Sequence, residues 1–376
     1  MRLRRFLFKV HLYAGLTVGA VLVVTGLTGA VLVFEEELEG ALDPEVRRVV
    51  PGPERVPFSQ VLAAVVENQG GTQPRMLRIP ERHDAPIEAW MGGGRDAVKV
   101  YVNPYTAQVL GSRNPSDSVV GIVRDLHIRL LAGKAGETVV GGLGVALLLL
   151  SVTGIIVWWP GRRKLAEGFK VRRPLRWRRG NFDLHKVSGA VTLVFLLLAG
   201  LTGTALVFPA PFQWMLKPLQ ASTPKATPTP PGPATGEPLS LDALMAVASR
   251  TMPGAHPTRI ELPATPDAAL KVRMRFPQEP HPNGMSFVFV DRHSGAVLYA
   301  ESALKASAAS RLMALRYPIH IGQIGGMVTR VLAVLTGLSL VGLFFTGLFL
   351  WHARTRATPA PRPAQSSTPP TQPSMS

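Results

Sequence analysis

Four long apolar runs punctuate the chain. They extend from about Phe6 to Phe34, from about Val139 to Trp159, from about His185 to Phe208, and through the apolar interior of His320–His352. About 20 apolar helical residues cross a hydrocarbon core of about 30 Å, so each run predicts a membrane helix. The expected spans are 1–36, 135–160, 185–209 and 321–352. Between them the period changes. In 37–134, PFSQVLAAVVENQG reads as a short amphipathic helix with Ser59 as its cap, and RMLRIP, PIEAWM and AVKVYVNPYTAQVLG alternate as strands. In 241–320, LDALMAVASRTM reads as a helix, with RIELP, LKVRMRF and MSFVFVDRHSGAVLYA as strands. Residues 161–184 form a basic loop, 210–240 a Pro-rich linker and 353–376 a tail predicted to be disordered. The fold class is a mainly α membrane protein: a four-helix bundle with two small α+β units outside the bilayer.

Charge orients this plan. The formal net charge is +17 over 376 residues, but its placement argues against nucleic acid. PGRRKLAEGFKVRRPLRWRRG carries nine Lys/Arg against one Glu beside a membrane run, a positive-inside signal for a cytoplasmic loop. Arg2, Arg4, Arg5 and Lys9 precede the first run and Glu35, Glu36 and Glu37 follow it, which agrees. Both termini are expected in the cytoplasm and both α+β units on the other side. A cleaved signal peptide is the rival reading of the N-terminus; the run is too long for one and ends in LVFEEELEG, without a small-residue cleavage site. With no cysteine, disulfides, thiolate-ligated haem, cysteine-bound iron–sulfur clusters and thiol catalysis are excluded.

The chain also repeats itself. Thr28-Gly29-AVLVF matches Thr202-Gly203-TALVF, and the same offset carries His11-LYAG onto His185-KVSG. Thr153-Gly154-IIVWW matches Thr346-Gly347-LFLWH, and that offset carries His127 onto His320. VNPYTAQVL lies over VDRHSGAVL. Each half thus reads His, membrane helix, α+β unit, His, membrane helix. This is a parallel repeat, whose equivalent residues can face each other across an axis along the membrane normal.

Of nine histidines, His11, His127, His185 and His320 occupy duplicated, membrane-flanking positions, and His352 stands where the first half has Trp159. Snorkelling to the headgroups is the ordinary role for such residues. Recurrence in both halves favours a sharper one, bis-histidine ligation of two b haems, one near each face. His127 and His320 would pair outside. Each lies 26 residues before its Thr-Gly marker, about 39 Å if helical throughout, which places the pair in the headgroup zone or a pre-helical turn. Inside, His11, His185 and His352 compete for two places, and the sequence leaves that choice open. The many helix glycines suit either close helix packing or a flat macrocycle. Arg124, Asp125 and Arg129 flank His127 as candidates to orient it or to hold an anionic substrate, with ordinary interfacial charge as the alternative. His83, His256, His281 and His293 lack ligand spacing and read as surface residues.

HLYAGLTVGAVLVVTGLTGAVLVFEEEL, HKVSGAVTLVFLLLAGLTGTALVF and SVTGIIVWWPGRRK resemble the helices of PepSY-associated transmembrane proteins, and YVNPYTAQVLG and FVDRHSGAVLY are similar to the last strand of PepSY domains. Ala107 and Arg292 depart from the usual Gly and Pro of that strand's turn. The resemblance implies a bacterial inner-membrane protein, with siderophore reductases among its relatives. For those it implies two haems held by membrane histidines, here His11, His127, His185, His320 and His352, and reduction of a ferric siderophore in the periplasm. The electron donor would be a quinol or a cytoplasmic reductase. A non-enzymatic PepSY regulator of periplasmic peptidase activity, and a component of an iron or siderophore transporter, are the competing functions.

Overall fold

The computed structural model describes residues 2–93, 97–172, 177–220, 236–265 and 267–356. Most of the Pro-rich linker and of the C-terminal tail falls outside these residues. The helices of eight residues or more are α1 (Arg2–Leu32), α2 (Glu35–Leu42), α3 (Phe58–Asn68), α4 (Val119–Arg129), α5 (Gly133–Trp158), α6 (Trp177–Val207), α7 (Leu241–Thr251), α8 (Ala308–His320) and α9 (Gly326–Thr355). Four of them, α1, α5, α6 and α9, are long and apolar enough to cross a membrane. Their outward faces stay apolar: Val24, Leu149, Val194 and Phe345 are all exposed, as lipid-facing side chains are where the surrounding solvent is hydrocarbon. This is a membrane protein.

The four helices close a ring in which α1 packs on α5 and α9, and α6 packs on α5 and α9. α1 and α6 therefore stand diagonally opposite. Leu22, Leu143, Leu147 and Leu196 fill the middle of the ring. Close approach comes from small residues. A Cβ added at Gly337 would lie 2.4 Å from the Gly26 carbonyl oxygen, so the α1 and α9 backbones touch.

The predicted strands form, but the two units do not stay separate. β1 (Met76–Arg78), β2 (Ile87–Met91), β3 (Val98–Val102) and β4 (Val109–Arg113) make one meander; β5 (His256–Glu261), β6 (Leu270–Arg275), β7 (Ser286–Val290) and β8 (Val297–Glu301) make another. β1 pairs antiparallel with β5, with Leu77 opposite Ile260, so one eight-stranded sheet runs β4-β3-β2-β1-β5-β6-β7-β8. The physical reason is edge satisfaction: two short edge strands each present unpaired backbone groups, and joining them removes both. One face of the sheet is apolar. Leu77, Ala89, Val100, Ile260, Val272 and Val288 are fully buried there beneath α3 and α7. The predicted cap at Ser59 is replaced. Ser59 lies inside the first turn of α3, and the backbone amides of Phe58 and Ser59 donate to the Asp242 carboxylate of α7, so the other half caps this helix.

Candidate functional site

The second face of the sheet is polar and looks toward the helix ends, where α4 and α8 fold back onto the bundle. α4 ends in two residues of left-handed backbone, Leu130 (φ 49°) and Leu131 (φ 59°), before α5 begins. This sharp reversal lays His127 against α1 rather than along the axis of α5. His127 Nδ1 donates to the Thr25 carbonyl at 2.9 Å and lies 3.2 Å from Thr28 Oγ1. His320, at the end of α8, lies 3.0 Å from Thr202 Oγ1 of α6. At the other end of the bundle His11 Nδ1 donates to the Leu150 carbonyl at 3.1 Å and lies 3.0 Å from Thr153 Oγ1 of α5. His185 lies 2.9 Å from Thr346 Oγ1 of α9.

These four environments are one device. Each threonine hydroxyl donates its single proton to a carbonyl of its own helix, Thr202 to Leu198 at 2.6 Å and Thr346 to Gly342 at 2.6 Å. It can therefore only accept from the imidazole. Nδ1 carries the proton in all four rings, and Nε2 is left with a free lone pair. The glycine after each threonine gives the ring room. A Cβ added at Gly29 would lie 2.8 Å from His127 Cε1, at Gly203 3.1 Å from His320 Cε1, at Gly154 3.2 Å from His11 Cε1 and at Gly347 3.4 Å from His185 Cε1. The Thr-Gly pair that marks the repeat in the sequence is the seat of an imidazole.

The rings meet in two pairs. His127 and His320 have centroids 6.1 Å apart, His11 and His185 6.3 Å apart. Imidazoles that ligate one metal from opposite sides, at about 2 Å each, have centroids roughly 6 Å apart. Burial pushes both outer imidazoles below their ordinary pKa, His320 to about 4 with His127 beside it as the next cause, so both are neutral at pH 7 and in the form that binds metal. His352, the third inner candidate, is exposed near the end of α9 and joins neither pair.

A family model for the PepSY-associated TM region matches residues 8–354. The chain belongs to that family. An uncharacterized protein of Pseudomonas aeruginosa is 28% identical over 263 residues, covering 64% of this chain and 65% of the relative, so the match spans somewhat less than two thirds of that protein's length.

In this PepSY-associated protein a cavity of about 290 Å³ lies between the sheet and the helix ends, lined in part by Glu36, Arg78, Arg124, Arg259, Tyr317 and Arg330. The α2 carboxylates at its rim are paired: Glu35 with Arg124, Glu36 with Arg78 at 2.6 Å, Glu37 with Arg330 at 2.6 Å. Glu39 bonds Arg47 at 2.8 Å, and burial raises its pKa. Arg124 thus faces the cavity but is engaged by Glu35 and Glu39. Arg129 bonds Asp125 at 3.3 Å, one turn away on α4, and reaches Glu137 of α5 at 3.9 Å. His83 is exposed as expected, and His256 and His293 are half-buried. His281 departs from its reading as a surface residue. It is 8% exposed and stacks on Tyr317 at 5.3 Å, because the 276–285 loop folds it beneath α8. Burial first, then Arg273 and Arg316, push its pKa down to about 4.

Proposed function

We propose that this protein is a transmembrane electron carrier. It holds two b haems, one at His11–His185 and one at His127–His320, and reduces a ferric siderophore on the periplasmic side of the bacterial inner membrane. The observation that carries the reading is the doubled pair geometry: four imidazoles stand two by two with ring centroids at the separation of two ligands of one metal, each ring fixed through Nδ1 by a Thr-Gly seat. Among the described residues no group of three or more His, Asp or Glu side chains could hold a bare ion. A metal at either pair therefore needs further ligands of its own, and a porphyrin brings four. Haem supplies one-electron chemistry. The protein's part would be to hold the group between the paired imidazoles of His11 and His185 and of His127 and His320, each ring in a fixed tautomer, and to shield it with apolar helix faces.

Eighteen residues of α1 separate His11 from Gly29, the seat of His127, about 27 Å of helix rise. The two pairs therefore serve opposite leaflets, and Leu22, Leu143, Leu147 and Leu196 keep the interval between them dry. Reduction of Fe(III) to Fe(II) weakens the grip of hard oxygen ligands, so one electron delivered outside releases the metal from its chelate. The donor is a quinol or a cytoplasmic reductase. Charged side chains within the interior of the spans would favour a transporter, and residues 12–32, 138–158, 187–207 and 331–351 contain no Asp, Glu, Lys or Arg.

The test is an absorption spectrum of protein produced with adequate haem supply. Oxidised and dithionite-reduced samples are expected to show a Soret band and sharp reduced α-bands at two haems per chain. His127→Ala or His320→Ala should leave one haem, and so should His11→Ala or His185→Ala. His352→Ala should leave both. A spectrum without these bands sinks the proposal.

A further inference from the structure

The cavity above the outer histidine pair has two unlike walls. On the first-meander wall each carboxylate has its cation. Glu36 holds Arg78, and Glu88 lies 3.2 Å from Arg47 and 3.3 Å from both Arg78 and Lys99. On the second-meander wall Arg259 of β5 stands in register between Arg78 of β1 and Arg273 of β6. Like charges directly opposite on neighbouring strands repel, and here three guanidiniums share one row.

The carboxylates that might relieve them are engaged elsewhere. Glu261 takes Lys271 at 3.0 Å. Glu279 accepts from the backbone amides of Phe276 and Met285 and from Ser286 Oγ. Among the described residues Arg273 donates to the Gly284 carbonyl and the Met285 sulfur and lies over the Phe287 ring, with no carboxylate in ion-pair contact. Among the described residues no hydrogen bond or ion pair reaches the Arg259 guanidinium, and its Nε is buried. Glu261 and Glu88 act on Arg259 only at a distance, and a half-buried cation with no carboxylate in contact is a standing electrostatic cost. Arg259 lines the cavity together with Asn283 and Tyr317. Tyr317 lies three residues before His320 on α8, so an anion seated against Arg259 lies about one helical turn from the outer pair.

We propose that this cavity binds a carboxylate-bearing anion through Arg259, with Arg273 strengthening the field. The substrate, on the redox reading above, is then an anionic, carboxylate-ligated ferric chelate and not a cationic or neutral hydroxamate one. The guanidinium fork matches a carboxylate bidentately. The cavity's partial exclusion of water strengthens that interaction.

Gallium(III) replaces iron in the test because it is not reduced, so binding is read apart from electron transfer. The full-length protein in nanodiscs of phosphatidylcholine alone, which offers no anionic headgroup, is titrated calorimetrically with gallium–citrate and with the cationic gallium complex of desferrioxamine B. Gallium–citrate should bind and weaken with added salt. Arg259→Gln should weaken it roughly tenfold or more, and Arg273→Gln by less. Arg259→Lys should fall between, and Arg82→Gln, at an exposed pair with Asp84, should leave it unchanged and serve as the charge-matched control. Equal affinity for the two gallium complexes, or unaltered gallium–citrate affinity in Arg259→Gln, overturns the inference. The two proposals fail separately: gallium–citrate binding by a protein without haem bands sinks the redox reading, and haem bands without gallium–citrate binding sink this one.

Discussion

Glu88 carries the charge balance of the polar sheet face. It is buried, it lies within 3.3 Å of Arg47, Arg78 and Lys99, and it accepts from the Trp90 indole at 3.2 Å. Burial alone would raise its pKa; Lys99, Arg78 and Arg47 together outweigh that and hold the carboxyl down at about 2. Its folded pKa is therefore below the unfolded value of about 4.3. The stabilisation is fully present above that unfolded value and is lost as pH falls through the folded one. Glu88→Gln leaves the buried Lys99 without its carboxylate and strips Arg47 and Arg78 of one of two each, and should cost on the order of 3–5 kcal/mol at pH 7. Thermal unfolding of both proteins from pH 7 to pH 2.5 checks this: the gap should narrow below about pH 4, and a gap independent of pH would refute it. The histidines were legible at this scale, because their recurrence beside each Thr-Gly marker is a one-dimensional signal. Their seats were not. Thr153 holds His11, 142 residues away, and Thr28 holds His127, 99 residues away, so the contact exists only once the helices pack. The sequence likewise left the inner candidates open; it is α1 and α6 standing across the ring that brings His11 and His185 within 6.3 Å and leaves His352 outside.

At the scale of elements, the hairpin turns show what a departure from a pattern means physically. In the β7–β8 turn Asp291 Oδ1 accepts from the amides of His293 and Ser294, and Gly295 completes the loop at φ 71°. In the β3–β4 turn Asn103 Oδ1 accepts from the Tyr105 amide, and Ala107 takes the same place at φ 57°. Both residues donate their amide to the carbonyl of the turn's first residue, at 2.9 Å from Gly295 and 3.0 Å from Ala107. Alanine at 107 forms the turn all the same but sits in left-handed backbone, which costs about 1 kcal/mol for a residue with a Cβ. Ala107→Gly should therefore raise stability by up to about 1 kcal/mol, partly offset by the greater freedom of glycine in the unfolded chain. A melting temperature lower than the parent's would contradict this. Strands and turns were readable from alternation and Asn/Asp chemistry. The joining of β1 to β5 was not, since nothing local in RMLRIP or RIELP tells which edge will find a partner.

The whole molecule stacks a sheet on a bundle, with the outer histidine pair where the two meet and the inner pair at the far end. The proposed orientation in the membrane rests on charge. Residues 160–180, the loop after α5 and the first turn of α6, carry nine Lys/Arg against one Glu, and α2, at the opposite end of the bundle, begins with Glu35, Glu36 and Glu37. Retaining Lys and Arg on the cytoplasmic side fixes orientation through the loops nearest the helix ends, which predicts the sheet in the periplasm and the α5–α6 loop in the cytoplasm. The chain lacks cysteine, so a single introduced thiol reports its own location with no background to remove. Gln108→Cys and Ser294→Cys place an exposed thiol on each meander, and Arg163→Cys places one in the basic loop. In cells with a permeabilised outer membrane, a membrane-impermeant maleimide should label the first two at once and the third only after the inner membrane is opened. Labelling in the reverse order would put the outer histidine pair, and the arginine-lined cavity above it, on the cytoplasmic side. A periplasmic chelate could not reach it there, and the direction of electron flow would have to be reassigned.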